Sequence, residues 1–138
     1  MPLPESPLQI DIDASLFLTL HKAATRQVDA AIDALQAGDF DVALTLAGAA
    51  EGMIERTGHR MFGWLKLHPK AMERFTQREW ITILNTERDW LKHGGQPSMQ
   101  ISVAEAAFMI ARAASKLEDW TPKMVAFKIW LLANLDRI

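Results

Sequence analysis

Leu35-Gln36-Ala37-Gly38-Asp39-Phe40 is the stretch on which the fold turns. Gly38 is the residue type that lets a helix end in a left-handed turn, and Asp39 is a good N-cap for a helix that starts again at once. On the N-terminal side, Leu16, Leu20, Ala24, Val28, Ala31, Ile32 and Leu35 recur at helical spacing, and Lys22, Arg26, Asp29 and Asp33 fall opposite. This predicts a helix from about Asp13, as N-cap, to Gln36. On the C-terminal side, Phe40, Ala43, Leu44, Ala47, Ala50 and Ile54 predict a second helix to about Arg56, stopped by Gly58. A connection this short makes the two helices antiparallel neighbours. Ala47-Gly48-Ala49-Ala50 is small enough to let a third helix approach closely.

The rest of the chain is punctuated in the same way. Residues 1–12 carry Pro2, Pro4 and Pro7 and read as an extended lead-in. Met61, Phe62, Trp64, Leu65 and Leu67 suggest a short buried turn before His68-Pro69. Thr76-Gln77-Arg78-Glu79 is a capping box opening a helix that Gly94-Gly95 and Pro97 end, with Trp80, Ile83, Leu84 and Leu91 on its core face. Ser102-Val103-Ala104-Glu105 is a second capping box, for a helix to about Leu117 through Ala106, Ile110 and Ala113. Thr121-Pro122 starts the last helix, with Val125, Ile129, Leu132 and Leu135 expected as its stripe. No segment reads as a strand. The expectation is one all-α domain over residues 1–138, an antiparallel four- to five-helix up-and-down bundle.

Composition narrows the function. Hydrophobic residues make up 49% of the chain and charged residues 23%, the balance of a globular domain. The absence of cysteine excludes disulfides, thiolate zinc sites and a cysteine nucleophile. Neither a signal peptide nor a run of about 18 apolar residues is present, so a cytoplasmic protein without a membrane span is expected. A net charge of −2 argues against a general nucleic-acid binder or a reader of DNA sequence. That total hides an asymmetry: residues 1–55 hold nine acids and two bases, residues 56–93 eight bases and four acids, with three of the four histidines in the latter.

Within this basic middle lies Glu87-Arg88-Asp89-Trp90-Leu91-Lys92-His93-Gly94-Gly95. A histidine titrates near neutral pH and serves as general acid or base; an arginine holds a phosphate and the charge developing on it. Five helical positions separate Arg88 from His93, about 140° apart around an ideal helix, so the two converge only where the helix loosens towards Gly94-Gly95. Asp89 and His93, four apart, share a face. Lysine and histidine also suit a helix C-terminus simply by complementing its dipole, so the string has a structural reading beside the chemical one.

Arg88-Asp89 followed by His93 resembles the signature of HEPN domains, helical bundles in which an arginine, often with a polar residue after it, precedes a histidine by four to six residues. Ala47-Gly48-Ala49-Ala50-Glu51 is similar to the Ala-rich, glutamate-bearing helix of that family. The resemblance implies a homodimer, of toxin or defence type, that cleaves RNA without metal or cofactor at a groove between the copies. Arg88 would bind the scissile phosphate, His93 transfer the proton and Asp89 orient it. Lys92, Arg78 and Arg74 would follow the RNA backbone, with Glu51 and Trp90 lining the groove. It implies equally a non-catalytic bundle that binds a nucleotide, RNA or a protein such as an antitoxin. Glu51, Glu55 and His59 lie at metal-ligand spacing, but no second helix repeats the pattern, so no metal site is expected. His21 and His68 read as a packed or edge residue and a loop residue. Trp64, Trp80, Trp120 and Trp130 read as core or dimer contacts.

Overall fold

The computed structural model describes residues 2–55 and 89–138. Their helices are α1 (Leu20–Ala37), α2 (Phe40–Met53), α3 (Val103–Ala114) and α4 (Pro122–Asn134). Residues 89–93 are also helical, and the described residues contain no strand. This is an all-α fold. None of the described helices is long and apolar enough to cross a membrane.

The α1–α2 corner is built as its residues dictate. Gly38 sits at φ 84°, and the N–H groups of Gly38 and Asp39 donate to the carbonyls of Leu35 (3.2 Å) and Ala34 (2.9 Å). This double closure satisfies the last carbonyls of α1 and needs the left-handed conformation that glycine adopts without strain. Asp39 occupies the N-cap of α2 but makes no side-chain capping bond, so the backbone of the turn carries the corner.

Helix α1 starts later than its pattern suggests. The N-cap is Thr19, whose hydroxyl accepts from the Lys22 N–H at 3.1 Å. Asp13 instead donates its N–H to the Asp11 carboxylate (3.0 Å), in a local turn within the extended lead-in. Helices gain most of their stability from burying a face. The first buried residue of α1 is Ala24, while Leu16 and Leu20 are exposed with no core to cover them.

Helix α3 is the centre of the bundle. From Ala106 to Ala114 every residue but Arg112 is buried, and five of them are alanines that bring neighbouring backbones close. Ala43, Leu44, Ala47 and Ala50 of α2 belong to the same core. The Ser102–Glu105 capping box is present, with the Ser102 N–H donating to the Glu105 carboxylate at 3.0 Å. The helix ends at Ala114, three residues short of Leu117, and the indole of Trp120 donates to the Ala114 carbonyl (2.8 Å) to close the turn into α4.

Two contacts set the directions of the helices. The last turn of α2 meets the end of α3 through Glu51, Arg112 and Lys116, so α2 and α3 run parallel. Helix α4 starts beside α1: Thr121 donates to Asp29 at 2.7 Å, and Lys123, two residues on, is paired at 2.7 Å with Asp33, one turn further along α1. The side of α4 that packs is the expected one only at its end, where Leu132 and Leu135 meet the core. Met124, Phe127, Leu131 and Leu135 are buried, whereas Val125 and Ile129 are exposed. This helix is apolar on nearly every face, so periodicity does not select which face turns inward.

Candidate functional site

The described part of the Arg–His string is a helix end. Residues 89–93 are helical, and Gly94 and Gly95 follow at φ 71° and 111°. The Gly94 N–H donates to the Trp90 carbonyl at 2.7 Å. The Trp90 indole donates to the Gln96 carbonyl at 2.9 Å, which holds the outgoing chain against the helix end, and half-buried Leu91 packs on the core. Asp89, Lys92 and His93 are exposed around this anchor. The spacing of Asp89 and His93 puts both on one face.

Glu51 is placed otherwise. The groove-lining role expected of it does not fit its position, since it is only 5% exposed. Its carboxylate oxygen lies 2.8 Å from Lys116 Nζ and 3.1 Å from Arg112 Nε. The lysine ammonium also donates to the Glu51 carbonyl at 2.9 Å. The arginine contact is ionic rather than an aligned hydrogen bond, because Nε lacks a partner of good geometry. A carboxylate in the last turn of a helix sits at the negative end of the dipole, and removing it from water adds a second cost. Two cations, Arg112 in α3 and Lys116 just past its end, offset both. Arg112 and Lys116 were not singled out in the sequence; their spacing of four residues marks a shared face, but nothing local names the acid they meet.

Trp90 is half-buried and tied to its own loop. Arg88, Arg78, Arg74, His59 and His68 lie outside the described residues. His21 is exposed on α1. Among the described residues, no group of three or more histidine, aspartate or glutamate side chains is arranged to hold a metal ion.

A second concavity lies at the other end of the bundle. Ile32, Leu35, Phe40, Ala126, Phe127 and Trp130 wall a volume of about 510 Å³, and Lys123 stands in the lining. Phe127 and Trp130 stack with centroids 6.1 Å apart. A space of this size and apolar character is within the range of ligand and peptide sites. It was not visible in the sequence because its walls come from α1, the α1–α2 corner and α4.

Comparison with known protein families, with curated proteins and with solved structures finds no match to this chain.

Proposed function

We propose that this chain is a HEPN-like cytoplasmic protein that works as a homodimer and cleaves RNA without a metal, in a toxin or defence setting. The observation that carries the reading is the helix end on which Asp89, Lys92 and His93 are all exposed. His93 takes the proton of a ribose 2′-hydroxyl. The 2′ oxygen attacks the adjacent phosphorus, the bond to the 5′ oxygen breaks, and a cyclic phosphate and a 5′-hydroxyl result. The 5′ oxygen leaves with a proton from an imidazolium, which returns the atoms and charges to balance. Asp89 orients the ring, Arg88 binds the phosphate, and Lys92, with Arg74 and Arg78, follows the backbone.

The test is cleavage of a fluorescent RNA oligonucleotide in EDTA. Wild type cuts, and His93→Ala and Arg88→Ala each lose about 100-fold or more. Full activity in His93→Ala would remove the mechanism. A second reading, a non-catalytic bundle that binds RNA, a nucleotide or an antitoxin-type protein, draws on the net charge of −2, which is unusual for a protein that must hold an RNA backbone. It predicts no cleavage by wild type, with binding that is lost in Lys92→Glu.

A further inference from the structure

The lead-in before α1 is an exposed arm with an alternating sequence, which turns at Asp11 to Ala14 in this structure. Leu8-Gln9-Ile10-Asp11-Ile12-Asp13 alternates apolar and polar residues, so in an extended chain Leu8, Ile10 and Ile12 share one side and Gln9, Asp11 and Asp13 the other. All of these residues are exposed, Ile10 by 77% and Ile12 by 91%. Residues 2–18 contain Glu5, Asp11 and Asp13 and no base. Three large aliphatic side chains at alternate positions amount to a contact surface with nothing in contact.

The apolar groove beside α4 has the complementary character. From Pro122 to Asn134, α4 contains Lys123 and Lys128 and no acid. Its outward side presents Val125, Ala126, Ile129 and Trp130, all exposed. Lys123 engages both oxygens of Asp33, at 2.7 and 2.9 Å, which occupies two of the three N–H groups of its ammonium. The lengths agree as well. Lys123 to Trp130 covers about 10 Å of helix, and Leu8 to Ile12 covers about 13 Å once the turn that begins at Asp11 is drawn out on docking.

We infer that the N-terminal arm of a second copy of this chain docks in the groove between α1, the α1–α2 corner and α4, with Leu8, Ile10 and Ile12 on Phe127, Trp130 and Ala126 and an arm aspartate at Lys123. The chain's own arm is not the occupant in this structure, because its apolar side is bare. It also leaves α1 at Leu20, whereas the groove lies at the far end of that helix, by Leu35 and Phe40. Exchange of arms between two copies gives a symmetric dimer with two equal contacts. This contact is independent of His93 and stands whether or not the chain cleaves RNA.

The chain has no cysteine, so every disulfide formed joins introduced residues. Full-length Ile10→Cys and Ala126→Cys proteins are mixed and oxidised. Docking in trans yields the mixed disulfide, of twice 15.5 kDa, faster than and in clear excess over the two homodisulfides that random collision gives. In sedimentation, wild type is a dimer and Ile10→Asp weakens it at least tenfold, with an unchanged circular dichroism spectrum. The inference is overturned by a wild-type monomer at micromolar concentration, by a dimer indifferent to Ile10→Asp, or by the absence of that excess of mixed disulfide. It is overturned as well if a chain carrying both cysteines closes on itself, which would mean docking in cis.

Discussion

Glu51 and His93 occupy the same kind of position, the last turn of a helix. The structure treats them in opposite ways. Glu51 is inside the bundle, held by Arg112 in α3 and Lys116 just past its end. His93 is on the surface, as are Asp89 and Lys92, with only glycines beyond. A buried carboxylate with two cations is committed to holding helices together. An exposed imidazole at an anchored helix end remains available to a ligand. The same position in a helix therefore serves stability in one place and offers reactivity in the other, and burial separates the two.

The largest expected effect tests the buried side of this contrast. Glu51→Ala leaves two cations facing a vacated interior and costs about 3–5 kcal/mol in urea unfolding. A cost below about 1 kcal/mol would mean that water reaches the cluster and that Glu51 resembles His93 after all. The conservative Glu51→Gln keeps the shape, loses the charge and falls between.

The next effect tests the anchor of the exposed side. Gly94→Ala places a Cβ at φ 71° and costs about 1–2 kcal/mol, although there is open space around the position. If thermal unfolding of that variant matches wild type, the helix end is not held in the left-handed turn, and the geometry around His93 loses its support.

His93→Ala itself changes stability by less than about 1 kcal/mol, whatever it does to RNA cleavage. A larger loss in chemical denaturation would reassign the histidine to structure and erase the contrast with Glu51.

The smallest effect uses a third ionic contact, exposed where the Glu51 cluster is buried. The hydrogen bond from Lys123 to Asp33, followed by the charges of Asp33 and Asp29, holds the Lys123 ammonium above its ordinary value of 10.5. A raised folded-state value means the contribution is complete below that ordinary value and disappears as pH rises through the folded one. Stability of wild type relative to Lys123→Met is therefore constant at neutral pH and declines only in the alkaline range above 10.5. The difference is small because solvent screens the pair.

Much of the fold was legible from local signals. The Gly38 stop, the Ser102–Glu105 box and the Thr121-Pro122 start all mark observed helix ends, because caps depend on groups a few residues away. Signals of equal local quality misled where packing was absent: Asp13 is as good a cap as Thr19, yet only the segment after Thr19 has a core to lie on. In α4 the expected inward stripe holds at Leu132 and Leu135 and fails at Val125 and Ile129, because an all-round apolar helix carries little phase. Of the candidate site, the helix end at His93 was legible from the glycine pair, whereas the partners of Glu51 lie more than 60 residues away in sequence, at a separation no local pattern reaches.

The sequence by itself determined an all-helical chain, the corner at Gly38-Asp39, the capped starts of the last two helices and the glycine-terminated end beside His93. Each rests on hydrogen bonds or backbone conformations closed within one turn. Only the tertiary structure decided that Glu51 is a buried ionic partner, that α4 turns Met124 and Phe127 inward and leaves Val125 and Ile129 out, and that α1 and α4 enclose a groove. Those outcomes depend on desolvation and on which surfaces meet, and such energies belong to pairs of helices rather than to either one alone.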